Sequence, residues 1–350
     1  MRRRMIALAA VALVLSACGA ARPVSTVQPA GARASGGCCA VSSGGPGLVT
    51  LKVANAPSTI FSMLYVAMDK GYLKQQGIQV DLQVVTSGQD AIALLGNGQL
   101  DAIAAGLTAG AFTAINQGLD VRIVSSVGYG PNGNQMVLRS DEMTSVRTAS
   151  DLRGKKIGVT GGLGGTGSYL TDLVLAKGGL SLKDVDLRSL PFPEQVLGLK
   201  NKSIDAAFPV EPFSTELLSG HIAEVPEFGR LPDVFGTSAM MYGPRLLRQD
   251  RALGNKLMTA LVMGARDLQG SGTHTPENLE ILAKYTKLSA ATINAIDPIL
   301  FRTDLAPFPA TYEGMQRAFI TEGQLKFAQP LPAERLIDGG FTSAAVSQLT

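Results

Sequence analysis

The sequence predicts an α/β protein of two lobes, each built on a mixed, mostly parallel sheet, with a cleft between them. Three observations predict it. Strand-like and helix-like segments alternate from residue 51 onward. The alternation begins afresh near residue 136. Finally, Leu95-Gly96-Asn97-Gly98-Gln99-Leu100-Asp101-Ala102 has an in-frame echo in Leu199-Lys200-Asn201-Lys202-Ser203-Ile204-Asp205-Ala206. Each copy ends a helix, makes a turn and launches a strand, as expected of two lobes with one architecture. A cleft between such lobes is a favoured place for a ligand.

The first residues read as a targeting segment. Arg2, Arg3 and Arg4 precede an unbroken apolar run from Ile6 to Leu15. That run falls short of the about 20 residues needed to span a bilayer, so it reads as an export signal. Leu15-Ser16-Ala17-Cys18 resembles a bacterial lipobox. The resemblance implies cleavage after residue 17 and a lipid anchor on Cys18, which would tie the chain to the outer face of the cytoplasmic membrane. Several acyl chains hold a protein firmly where one binds marginally. Residues 18–48 are rich in Gly, Ala, Ser and Pro and read as a flexible tether.

Charge follows the same division. The chain has 31 basic and 28 acidic residues. Without the three arginines of residues 1–17 the count is 28 against 28, and from Val49 onward it is 26 against 28. The basic excess therefore belongs to the targeting and tether segments, and no nucleic-acid partner is expected. No cysteine follows residue 48. Cys38 and Cys39 are adjacent, a poor metal chelate, and read as tether thiols or a local disulfide.

The remaining length suggests two domains: one lobe from 49–130 and 238–350, the other from 131–237. In the first, residues 51–54 predict a strand. Residues 59–70 predict a helix with Ile60, Leu64 and Ala67 on one face and Gly71 at its end. Residues 78–85, 102–105 and 121–127 predict strands, separated by helices at 89–95 and 111–117. In the second, strands are predicted at 136–139, 156–160, 185–190 and 206–210, with a helix at 168–177. After Met240 the pattern is helical, near 246–269, 276–286, 290–296 and 309–322.

The tract Gly161-Gly162-Leu163-Gly164-Gly165-Thr166-Gly167-Ser168 lies between a predicted strand and a predicted helix. Its glycines admit close approach of a ligand to the backbone. The helix start supplies free amides and partial positive charge, and Thr166 and Ser168 add hydroxyls. Such a site suits an anionic or oxygen-rich group. It is no Walker loop, and no acidic residue lies at the spacing of a ribose contact. The same tract also reads as an ordinary flexible loop. Ser87-Gly88 and Thr108 stand at two further helix starts that follow strands. Each alone reads as a cap, but three such starts together point to ligand chemistry beyond the carboxyl ends of strands. Asn55 reads as an amide donor or a turn residue. Phe61 reads as a ligand-facing ring or a core residue. Glu211 reads as a partner for a ligand amine or as a helix cap. Tyr129 and Tyr169 are candidate cleft aromatics. His221 and His274 stand alone, without metal spacing, and no nucleophile-elbow motif is present. No metal, no cofactor and no enzymatic activity are expected.

Asn55, Phe61, Met68-Asp69-Lys70-Gly71-Tyr72-Leu73, Gly77-Ile78, Ser87-Gly88 and Leu94 through Ala102 appear in an order similar to that of the SsuA/TauA/ThiY-type (NMT1/THI5-like) solute-binding proteins. Ser150 through Val159, Asp205-Ala206-Ala207-Phe208 and Glu211-Pro212-Phe213 extend the similarity over most of residues 49–350. The resemblance implies a type II periplasmic-binding-protein fold with two crossovers between its lobes. It implies a small-molecule solute of the sulfonate, taurine, nitrate or vitamin-precursor class, and an ABC permease with its ATPase as partners; a monomer is expected. It makes Ser87, Gly88, Thr108, Thr166, Gly167 and Ser168 pocket positions, with Gly165 in the same tract, and Glu211 a reader of a ligand amine. The absence of tryptophan excludes an indole-lined pocket. Two other readings have the same fold: an enzyme resembling the pyrimidine synthases, which use a histidine and a cysteine cluster, and a ligand-sensing lipoprotein without a transport role.

Overall fold

The structure is a computed structural model that describes residues 47–86 and 88–350. The export signal, Cys18, nearly all of the tether and Ser87 lie outside the described residues.

In chain order the elements are β1 (Val49–Asn55), α1 (Ser62–Asp69), α2 (Tyr72–Gln75), β2 (Ile78–Val84), α3 (Gly88–Gly96), β3 (Ala102–Gly106), α4 (Ala109–Asn116) and β4 (Arg122–Ser126). There follow β5 (Asn134–Gln135), β6 (Val137–Arg139), β7 (Lys156–Val159), α5 (Thr166–Ala176), β8 (Asp186–Ser189), α6 (Phe192–Lys200), β9 (Ala206–Ala207), α7 (Phe213–Ser219), β10 (Ala223–Glu224), β11 (Arg230–Leu231) and β12 (Ser238–Tyr242). The chain closes with α8 (Arg251–Asp267), α9 (Pro276–Thr286), α10 (Ala290–Asn294), α11 (Pro309–Thr321), α12 (Ala333–Leu336) and α13 (Gly340–Gln348).

Two five-stranded sheets carry the fold, in the orders β2-β1-β3-β12-β4 and β10-β6-β9-β7-β8. In the first, β1 runs parallel to β2 and β3, and β12 is antiparallel to β3 and β4. In the second, β7 runs parallel to β8 and β9, and β6 is antiparallel to β9 and β10. Each sheet therefore has the same plan of directions: a parallel trio (β2-β1-β3 and β8-β7-β9), then one antiparallel strand (β12 and β6), then an edge strand (β4 and β10). Two chain segments pass between the sheets, and their short strands β5 and β11 pair antiparallel with each other.

The eight-residue echo is architectural. Its two copies launch β3 and β9, which hold corresponding places in the two sheets. Asp101 accepts a hydrogen bond from the Lys52 amide of β1 at 2.8 Å and pairs with Arg245. Asp205 accepts from the Lys156 amide of β7 at 2.9 Å and pairs with Arg139. In each lobe a carboxylate at the strand start satisfies an amide of the neighbouring strand, and an arginine balances its charge.

Alternation along the strands separates two apolar layers. Leu51, Val53, Ala102, Ala104, Met240 and Tyr242 face the layer covered by α1 and α8. Ala54, Ile103, Ala239 and Met241 face the other, which contains Phe112 of α4 and continues into the second sheet through Ile157 and Leu170. Helix α11 joins that continuous layer with Tyr312, Met315 and Phe319, packing on both α4 and α5.

Several elements differ from the sequence expectation. The helix expected at 59–70 opens as a 3-10 turn and becomes α-helical at Ser62. The long helix expected at 246–269 is interrupted at Asp250, whose side chain accepts from the Leu253 amide and starts α8. β12 lies where helical pattern was expected to begin, and β9 is shorter than the predicted run.

Candidate functional site

A cavity of about 560 Å³ lies between the two sheets. Its walls include Ala56 just after β1, Ala105-Gly106 ending β3, Thr160-Gly161 just after β7 and Phe208 just after β9. The cavity thus sits beyond the carboxyl ends of parallel strands from both sheets, where open α/β sheets bind ligands.

Three helix starts reach it. Gly88 opens α3, Thr108 caps α4, and Thr166 and Gly167 open α5; all four residues line the cavity. The Thr108 hydroxyl accepts the Ala111 amide at 3.2 Å, as an N-cap does. That leaves its own proton for another acceptor. Among the described residues no side chain caps α5, whose N-cap is Gly165. Its first amides therefore keep the partial positive charge of an open helix start.

The glycines here are required by contacts within the protein. A Cβ on Gly88 would stand 2.4 Å from the Gly106 carbonyl oxygen, and a Cβ on Gly106 would stand 2.5 Å from Thr166 Oγ1. These close approaches stack the start of α3, the end of β3 and the start of α5 along one wall.

Hydrogen bonds join the two sheets around the cavity. Thr166 Oγ1 donates to the carbonyl oxygens of Leu107 at 3.0 Å and Thr237 at 3.3 Å. The Ala109 amide donates to the Gly164 carbonyl at 2.7 Å. Elsewhere the Glu211 carbonyl accepts from Ser58 Oγ at 2.8 Å, Thr59 Oγ1 at 3.1 Å and the Thr59 amide at 3.2 Å. The peptide bond that follows, Glu211–Pro212, is cis.

Of the residues singled out from sequence, Phe61, Gly88, Thr108, Thr166, Gly167, Glu211 and Tyr129 line the cavity. Asn55, Gly165 and Ser168 do not. Asn55 is buried and donates to the Ala56 carbonyl and the Tyr65 hydroxyl. Burial, the dominant cause, pushes the Tyr65 hydroxyl up to about 12. Ser168 is fully buried and its hydroxyl donates to the Gly165 carbonyl at 2.8 Å. Tyr169 packs edge-on against Phe319. The Glu211 carboxylate starts helix α7: its two oxygens accept from Ser214 Oγ at 2.5 Å and the Thr215 amide at 3.2 Å. His274 meets Asn294, and among the described residues no cluster of three or more His, Cys, Asp or Glu forms a metal site.

Other lining residues were not expected. Apart from Tyr129, the segment 128–135 of the first crossover, which borders the cavity, is among them. In sequence its Gly130-Pro131-Asn132-Gly133 reads only as a turn. Gln195, fully buried, donates to Thr160 Oγ1 and the Leu190 carbonyl, both at 2.9 Å, and so orients a lining hydroxyl.

Residues 58–230 match the model of the family described as NMT1/THI5 like. A protein of Brucella abortus (strain 2308), named for a provisional binding function, is 27% identical over 278 residues, 76% of this chain and 83% of its own. The alkanesulfonate-binding protein SsuA from Xanthomonas axonopodis pv. citri, solved with MOPS, superposes with a TM-score of 0.67 at 19% identity, covering 83% of this chain and 99% of its own. The periplasmic nitrate-binding protein NrtA from Synechocystis PCC 6803 superposes with a TM-score of 0.73 at 16% identity, covering 86% and 89%. The chain is thus similar to the NMT1/THI5-like family over residues 58–230, and it shares the fold of the periplasmic solute-binding proteins.

Proposed function

We propose that this chain is the extracytoplasmic substrate-binding protein of an ABC-type importer. It binds a small solute with a polar or anionic group between its two sheets and delivers it to a permease served by an ATPase. The observation that carries this reading is the meeting of the α3, α4 and α5 starts, drawn from both sheets, in one cavity. Amides and a hydroxyl from both lobes can then share one guest, and a guest that touches both favours the closed arrangement by population shift. The fold shared with a sulfonate binder and a nitrate binder supports the same reading. An anchor on Cys18 would keep the protein beside its permease as a monomer at the outer face of the membrane.

Gly88, Thr108, the backbone amides of Thr166 and Gly167, and Phe61 are the proposed ligand contacts. For Asn55, Gly165 and Ser168 a supporting role fits their partners better, and for Glu211 a cap with a carbonyl contact between lobes. Calorimetric titration of the purified chain against sulfonates, taurine, nitrate, carboxylates and thiamine precursors tests the proposal. Saturable one-to-one binding of one class supports it. Absence of heat and of thermal shift across the panel counts against it.

A further inference from the structure

A third stretch of chain holds the two crossovers between the sheets. Residues 297–308, between α10 and α11, form no helix and no strand beyond one isolated bridge. One side of the stretch is rooted in the first lobe. Ile299, Phe301 and Leu305 are buried in the apolar layer under α1 and α8, and Gln269 Nε2 donates to the Phe301 carbonyl at 3.3 Å. The other side grips the first crossover. The Leu300 amide donates to the Tyr129 carbonyl at 2.9 Å and the Tyr129 amide to the Leu300 carbonyl at 3.0 Å. The Leu305 carbonyl accepts the Ser126 amide at 2.8 Å, and Asp297 accepts from Asn132 Nδ2 at 3.3 Å. Gly128 lies so close that a Cβ there would stand 2.5 Å from Ile299 Cγ2.

Phe308 ends the stretch and reaches the second crossover. Its half-buried ring lies against Gly236, where an added Cβ would overlap the ring. The Gly236 φ of +69° also favours glycine there. The same ring meets Tyr129 edge-on at 5.6 Å, and Tyr129 packs in turn on Phe235 at 5.2 Å. Edge-to-face rings attract beyond the area they bury. One side chain thus touches both crossovers. These also bond to each other, through β5 with β11 and through Asn134 Nδ2 to the Val234 carbonyl at 2.6 Å. Beyond Phe308 the chain enters α11, which packs on α4 of one lobe and α5 of the other. In hinged folds a few connecting residues absorb the backbone rotation that separates the lobes. Here those residues cannot turn without disturbing Phe308, so the restraint acts at the pivot.

We propose that residues 297–308 are a hinge strap, and that Phe308, seated on Gly236 and edge-on to Tyr129, restrains how far the two lobes swing apart. The inference concerns lobe movement and does not depend on which solute is bound. A restrained hinge keeps a larger share of the free protein near the arrangement that grips a guest, and apparent affinity scales with that share. The test uses the full chain without solute, in two measurements: hydrogen exchange read by mass spectrometry, and small-angle scattering. In Phe308→Ala, peptides covering residues 126–129 and 234–237 are expected to exchange roughly tenfold faster through local opening, while those of β1 and β7 keep the parental rates. The radius of gyration is expected to shift to a larger value. Phe308→Leu, which keeps an apolar group over Gly236, is expected to show the same pattern at smaller amplitude, and it decides the matter if the alanine variant does not fold. Parental exchange at the crossovers, or an unchanged radius of gyration, overturns the strap. Faster exchange spread evenly over both lobes also overturns it, because Phe308 would then serve general stability alone. Neither readout needs a solute, so these failures leave the solute-binding reading standing, and a chain silent in every titration leaves the strap standing.

Discussion

Thr166 Oγ1 at the start of α5 donates a 3.0 Å hydrogen bond to the carbonyl oxygen of Leu107, just beyond β3 in the other sheet. The hydroxyl expected from sequence to meet a ligand is thus spent on the opposite lobe. A side chain in this position reports on closure before it reports on ligand chemistry.

Thr166→Ala should therefore weaken solute binding by roughly threefold to tenfold, the worth of a net hydrogen bond, through a less populated closed state. Thr166→Ser, which keeps the donor, should restore most of the affinity. Titration paired with small-angle scattering separates the two effects. An alanine variant that binds normally and stays as compact as the parent contradicts the latch.

Gly106→Ala should be felt in both stability and binding. The added methyl would sit 2.5 Å from Thr166 Oγ1, so the α5 start must shift. Overpacking of this kind costs about 1–3 kcal/mol. Thermal melts should show the loss, and the Thr166→Ala background should recover part of it by removing the obstructing hydroxyl.

Glu211→Ala should cost about 1 kcal/mol of stability, the usual value of a lost helix cap, because the carboxylate holds Ser214 and Thr215. The contacts to Ser58 and Thr59 use the Glu211 carbonyl and survive the substitution. Affinity for an anionic solute should change less than threefold, within a fraction of one hydrogen bond. A large loss of affinity with an unchanged melting temperature would mean that the carboxylate contacts the guest.

A pH dependence should come from the contact between α5 and α11. Burial, reinforced by the neighbouring Glu322 carboxyl, raises Asp172 to about 6. Above its unfolded value, near 3.9, a raised carboxyl makes folding favour the protonated form. Stability should thus fall as pH rises from about 4 through about 6, and remain lower above that window. Asp172→Asn should stabilise the chain at pH 7–8, by on the order of 1 kcal/mol given screening at a half-exposed site, and have no effect below pH 4. Melts across pH 4–8 check the sign.

Much of the architecture is legible in the residues because local signals agree there. Leu51 to Asn55, Ile78 to Val84 and the glycines that end their neighbouring helices point the same way. The strand Ser238–Tyr242 is different. Its Ser-Ala-Met-Met-Tyr has little β-branched character and stands before a helical region. Pairing with β3 and β4 on either side makes it a strand, and that partner lies more than a hundred residues away. The site divides in the same manner. Gly88, Thr108 and Thr166 could be found because helix starts after strands have a sequence signature. Whether Ser168 or Asn55 reaches the cavity depends on where each polar group finds its nearest partner. Gly165 and Tyr65 take those groups first, and neither pairing leaves a mark in the sequence. The lining segment 128–135 owes its place to the pairing of β5 with β11.

The most direct test is a crystal structure of the chain with the tightest-binding solute found by titration. The polar head is predicted to lie within hydrogen-bond distance of Thr108 Oγ1 and the Gly167 amide, with both sheets in contact with one guest. A solute held elsewhere, or touching residues of only one sheet, would contradict the proposed site.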